Sequence, residues 1–210
     1  MKLLSVNVGL PRSVVWQGRE VSTGIFKQPV EGEVRLDRLN LAGDGQADLR
    51  VHGGVDKAVY AYPWEHYGYW RGILGRDDLA PGGFGENFTV AGMAETRVRV
   101  GDVFRVGTAL LQVSQPRTPC WKLSLRFGIN DFHARFSLSR RVGFYLRVLE
   151  PGGVAAGMLI ALVDSDPDAP SVAELFDLKL DPRPDPVQLR RAADAPALSA
   201  GWRESFRKRL

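Results

Sequence analysis

Along the first sixty residues the apolar positions fall in short runs cut by glycine, proline and asparagine: KLLSVNVGL from Lys2, REVSTGIF from Arg19 and VEGEVRL from Val30. This spacing predicts short extended segments of an all-β region. The period changes at PWEHYGYWRGIL, which starts at Pro63. Trp64, Tyr67 and Trp70 form an aromatic stripe at helical spacing, and a proline in the first turn supports a short amphipathic helix. Alternation then returns in TRVRVGDVFRVGTALLQVS, residues 96–114. Val98 and Val100 alternate with arginines, Gly101-Asp102 makes a turn, Val103 to Val106 runs back, and Gly107 opens a third strand from Ala109 to Ser114. The expectation is a three-strand meander.

Beyond Trp121 the stretch WKLSLRFGINDFHARFSLSRR fits one or two short helices. GFYLRVLEPGGVAAGMLIALV, from Gly143, reads as two more strands around Pro151-Gly152-Gly153. Many short strands with turn signals suggest a closed or nearly closed barrel. The composition shifts at DSDPDAP, residues 164–170. Three helical segments follow: SVAELFDLKL, DPVQLRRAAD and SAGWRESFRKRL. Ser171 and Glu174 have capping-box spacing. The expected class is therefore mainly β: a barrel domain over 1–165 with a few short helices, then a three-helix extension over 171–210.

A chain of 210 residues with 44% hydrophobic and 25% charged residues can bury one full core. The net charge of +4 is modest and its basic residues are scattered, which favours an anionic ligand and says little about nucleic acid, and no nucleic-acid partner is expected. One cysteine, Cys120, excludes an internal disulfide and a four-thiolate iron–sulfur cluster. His52, His66 and His133 lack the paired spacing of a zinc site. The opening MKLLSVNVGLPRS is broken by Asn7 and too short for a signal-peptide core. The longest apolar run, VAAGMLIALV, falls far short of the roughly 18 residues of a membrane span. A soluble cytoplasmic protein that does not enter membranes is expected.

Three glycine- or proline-rich polar patches interrupt the β pattern. In DLRVHGGVDKAVYAY the Gly53-Gly54 pair permits a sharp turn, and Arg50, His52 and Lys57 around it could hold phosphate or carboxylate. A hairpin turn with solvated charges explains that patch equally well. In PGGFGENFTVAG the glycines precede Glu86-Asn87 and match neither the dinucleotide fingerprint nor the phosphate loop. A plain flexible loop is again an equal reading. In PRTPCWKL the thiol of Cys120 lies between Arg117 and Lys122, whose charge would favour the thiolate if both face it. A lone cysteine is also often a small buried hydrophobe.

Taken together, VHGGVDKAVYAY, GGFGENFTVAG, GDVFRVG and QPRTPCWKL resemble, in order and spacing, the MOSC-domain family, named for the C-terminal domain of molybdenum cofactor sulfurases. The helical tail resembles the YiiM-type branch. The resemblance implies a β-barrel that binds molybdenum cofactor and reduces N-hydroxylated compounds, such as hydroxylaminopurines and amidoximes, to amines. By the same analogy Cys120 is the metal ligand and the catalytic centre. Arg117 and Lys122 hold the anionic cofactor. Arg50, His52, Gly53, Gly54 and Lys57 line its pocket, and Gly85, Glu86 and Asn87 close it. Electrons would come from a separate donor protein, since no flavin, nicotinamide or cluster signature is present. A homodimer is expected from the family. The alternative is a non-catalytic carrier of the cofactor or of its sulfur.

Overall fold

The computed structural model describes residues 1–210, the Val51 side chain excepted. The strands in chain order are β1 Lys2–Val8, β2 Arg12–Trp16, β3 Arg19–Thr23, β4 Gln28–Pro29, β5 Val34–Leu36, β6 Val59–Pro63, β7 Phe88–Ala91, β8 Val103–Val106, β9 Ala109–Pro116, β10 Phe144–Glu150, β11 Gly152–Val154 and β12 Ile160–Asp164. The helices are α1 Leu49–His52, α2 Glu65–Leu74, α3 Lys122–Phe127, α4 Phe132–Leu138, α5 Val172–Leu180, α6 Pro186–Asp194 and α7 Ala200–Arg207. No described helix is long and apolar enough to cross a membrane.

Eight strands form one curled sheet in the order β12-β8-β9-β10-β6-β7-β1-β4. All neighbours are antiparallel except β6 and β7. The curl brings its far strands together. Lys2 bridges Leu159, Leu3 N–H donates to the Met158 carbonyl at 2.9 Å, and Ile160 N–H donates to the Met1 carbonyl at 3.0 Å. The wall is therefore a mixed sheet that nearly closes on itself. Period-two burial along β10 turns Phe144, Leu146 and Val148 inward.

The aromatic stripe of α2 behaves as its spacing predicts, with Tyr67 and Trp70 buried. Trp70 stacks on Phe136 of α4, with ring centroids 5.1 Å apart, and its indole N–H donates to Tyr62 at 2.7 Å. The segment after Trp121 resolves into two helices, α3 and α4, and Gly152-Gly153, expected as a turn, instead start a short extra strand, β11, paired with β5.

Of the expected three-strand meander only the β8–β9 hairpin forms among the described residues, and its first strand is absent. Residues 96–100 form a turn, fixed by the Asp102 carboxylate, which accepts the Arg99 N–H at 2.8 Å. Val98 and Val100 are buried because they pair with the start of the extension. Val172 N–H donates to the Val98 carbonyl at 2.9 Å, and Val100 N–H to the Pro170 carbonyl at 3.1 Å. Alternation recorded that burial, and β8 takes β12 as its second partner instead. The extension does not stand apart. Leu175, Phe176, Trp202 and Phe206 belong to the same apolar cluster as the barrel interior. A capping box between Ser171 and Glu174 starts α5.

Candidate functional site

The site lies where β6, β9 and β10 end on one side of the barrel. β9 runs two residues beyond its expected end, to Pro116, and delivers Arg117 into the interior. That guanidinium is almost wholly buried. It donates to the Tyr60 hydroxyl at 2.7 Å and to the Phe84 carbonyl at 3.0 Å, and lies over the Tyr60 ring. Burial opposes its charge, but Tyr60, Tyr145 and Cys120 around it hold the proton on. Cys120 follows on the loop into α3, half-buried, with its carbonyl accepting the Leu123 N–H at 3.0 Å.

Cys120 opens onto a cavity whose walls include Lys27, His52, Lys57, Arg117 and Lys122. No carboxylate lines it among the described residues. Each cation is placed by its neighbours. Lys122 Nζ donates to the Ser22 carbonyl at 3.2 Å. Lys27 is buried in an ion pair with Asp44, and burial pushes its ammonium down while Asp44 opposes. Burial also pushes Lys57 down. Asn87 ties this wall together: its amide donates to Asp44 at 2.9 Å and its oxygen accepts the Tyr60 N–H at 3.1 Å.

His52 differs from all of these. Its Nδ1 is buried with no hydrogen-bond partner. Burial first, then the charges of Lys122, Arg117 and Lys57, push the His52 imidazole's pKa below the ordinary histidine value. A buried nitrogen without a partner is costly unless a ligand satisfies it.

The structure thus gathers His52, Lys57, Gly85, Asn87, Arg117, Cys120 and Lys122 around one cavity. Gly85 sits there at φ +81°, and a Cβ on it would meet the Ile25 side chain at 2.8 Å, so only glycine lets the loop pass this close. Gly53 and Gly54 instead line a second chamber on the other side of Cys120. Arg50 lies further out, largely exposed and paired with Asp48 at 3.0 Å on the rim.

Glu86 does not close the pocket. Its carboxylate is fully buried and turned into its own loop, where it accepts from Tyr67, from Gly82 N–H at 2.8 Å, from Phe84 N–H at 3.0 Å and from Thr89 at 2.9 Å. It does not line the cavity, and its four bonds tie residues 82–87 to α2 and β7. Conversely, Lys27, Asp44, Tyr60 and Tyr145 carry no signal in the sequence. A lone lysine in GIFKQP and tyrosines inside strands look like ordinary surface and core positions.

The second chamber is bounded by Gly53–Asp56, by the loop Thr118–Trp121 and by the first turn of α7. It shares Cys120, His52, Lys57 and Tyr145 with the first cavity.

Among the described residues no group of three or more His, Cys, Asp or Glu could hold a bare metal ion. Cys120 is the one soft donor at the site. A metal bound here must bring most of its own ligands, and the ring of cations suits an anionic chelate. The donor set, the unpaired His52 nitrogen and the glycine at 85 all fit such a group.

Known proteins point the same way. Residues 48–161 match the MOSC domain, and residues 170–210 match the YiiM-like, 3-alpha helix domain. The chain is 42% identical over 207 residues, 99% of it and 93% of the relative, to the uncharacterized protein YflK of Bacillus subtilis. It is 35% identical over 150 residues to a protein named Reductase from Gibberella moniliformis, covering 70% of this chain but 27% of that one. The crystal structure of YiiM from Geobacillus stearothermophilus superposes with a TM-score of 0.84 at 37% identity, covering all of this chain and 98% of that one. The chain belongs to the MOSC-domain family, in the branch that carries the YiiM-like three-helix domain.

Proposed function

We propose that the protein is a molybdenum-cofactor-dependent reductase that converts N-hydroxylated compounds to amines. Family membership and the relative named Reductase support a molybdenum-related activity in general. The observation that carries the finer reading is Cys120, half-buried on the wall of a cavity ringed by cations and free of carboxylates.

Here Arg117 and Lys122 hold the anionic cofactor, with Lys27 and Lys57 completing the ring, and Cys120 supplies the protein's ligand to its metal. When bound, the cofactor supplies two-electron redox chemistry at the metal. Arg117, fixed by Tyr60 and the Phe84 carbonyl, sets the position of the cofactor without needing to reorganise. His52, with its Nδ1 buried and unpartnered, offers its imidazole to the ligand from the wall shared by the two chambers. The balance is R–NH–OH plus two electrons and two protons giving R–NH2 and water. The electrons come from a separate donor protein.

The test is molybdenum per chain in wild type and Cys120→Ser, each purified from a host that makes the cofactor. Metal in the wild type and about tenfold less in the variant supports the ligand role. Equal metal in both overturns it. Metal without reduction of any N-hydroxylated compound, given an artificial donor, moves the assignment to a carrier.

A further inference from the structure

The second chamber takes no part in holding the cofactor, yet Cys120 lines it as it lines the first cavity, and the first turn of α7, in the three-helix extension, closes it. Its two walls are held in place by one arginine. Arg147 of β10 donates from Nε to Asp56 at 2.9 Å and from its terminal nitrogen to the Ala197 carbonyl at 2.9 Å. Asp56 belongs to the glycine-turn wall, and Ala197 leads into α7. Ser199 N–H, donating to the Ser114 carbonyl at 3.0 Å, fastens the start of α7 to the end of β9. The extension is therefore locked against the barrel at the point where it borders Cys120, a rigid arrangement suited to a fixed aperture.

Gly201 sits in the first turn of α7 and lines the chamber. A Cβ built on it meets nothing within 4 Å, and its backbone angle is one any residue adopts. Trp202 beside it is buried, T-stacked against Phe206 and covered by Lys179. Gly201 and the buried Trp202 both line the chamber that Cys120 lines, and the glycine leaves open space where a side chain would stand.

We propose that this second chamber is the port through which substrate reaches Cys120, and that the first turn of α7 sets the size of compound admitted. The three-helix extension is then a specificity element, with the barrel-side cavity left to the cofactor. This rests on reading Cys120 as the reactive centre, and the experiment separates the two ideas.

Metal-free protein, from a host unable to make the cofactor, is labelled at its single thiol with small iodoacetamide or with bulky fluorescein maleimide. Gly201→Trp should slow the maleimide about tenfold and leave iodoacetamide within about twofold, since the thiol itself is untouched. Gly201→Ala is the control and should label as wild type while melting no lower, because glycine is the poorer helix residue. Ala47→Trp, on the wall of the first cavity, should leave maleimide labelling of the metal-free protein unchanged. Unchanged maleimide labelling in Gly201→Trp, or its slowing in Ala47→Trp instead, overturns the port. Equal slowing of both reagents by Gly201→Trp overturns the size gate. In loaded enzyme, Gly201→Trp should keep its molybdenum and reduce hydroxylamine normally, while KM for a bulky N-hydroxylated compound rises about tenfold. If the wild type holds no molybdenum, the proposed function fails and the labelling result still decides the port.

Discussion

His52, partly buried, and Glu86, fully buried, are both polar side chains beside glycine turns, yet they occupy opposite conditions. Glu86 accepts four hydrogen bonds and faces its own loop. His52 keeps a buried nitrogen with no partner and faces two cavities. A satisfied buried group stabilises the fold, whereas an unsatisfied nitrogen beside two cavities is one that a ligand can complete.

Removing the satisfied group should have the largest effect. Glu86→Ala leaves four donors in a dry environment and is expected to cost about 3–5 kcal/mol, lowering Tm by about 10 °C in a chain of this size. Thermal unfolding followed by circular dichroism checks this, and a shift under about 2 °C would mean that water replaces the carboxylate. Glu174 sharpens the contrast: its carboxylate accepts a single bond, from the Ser171 N–H at 2.7 Å, and lies exposed to solvent. Glu174→Ala is expected to cost about 1 kcal/mol.

That smaller effect should depend on pH. The bond from the Ser171 N–H holds the Glu174 carboxyl below its ordinary value. Its folded pKa is depressed, so its stabilisation is present above the unfolded value and lost as pH falls through the folded one. The Tm gap between wild type and Glu174→Ala should be full at pH 7 and shrink on acidification below about pH 4. A gap that widens in acid would contradict the assignment.

His52→Ala should move stability least, by under about 0.5 kcal/mol, because no hydrogen bond is broken. Its effect should appear on the ligand instead, as molybdenum content or catalytic rate reduced at least about threefold. A variant that loses stability but not ligand would make His52 scaffold after all, and the comparison with Glu86 would collapse.

Strong local patterns carried the fold reading. The β8–β9 hairpin, the stripe on α2 and the capping box of α5 each depend on residues near in sequence, and each stands where the pattern puts it. Val98 and Val100 show the limit: alternation registers burial, but it cannot say whether the covering partner is a strand or the start of the extension. The site was legible at Cys120, Arg117, Lys122, His52 and Lys57, because cation, thiol and glycine turn cluster within motifs. Lys27 and Asp44 were not. Their meeting depends on two loops folding over the same cavity, which leaves no trace in either loop. Glu86 was misread for a related reason, since a motif shows the carboxylate but not the direction it faces.

The seam between Lys2 and Leu159 fixes an order of events as the chain is made. β8 and β9 are joined by two residues and can pair within microseconds once both have emerged. β1 must wait for β7 near residue 90, and again for residues 157–160, before its second edge is bonded. Contacts so distant in sequence are slow to form, and a strand that waits with an open apolar edge is exposed to other chains meanwhile. Wall closure is thus a late step of synthesis, and the first strand made is among the last to be completed.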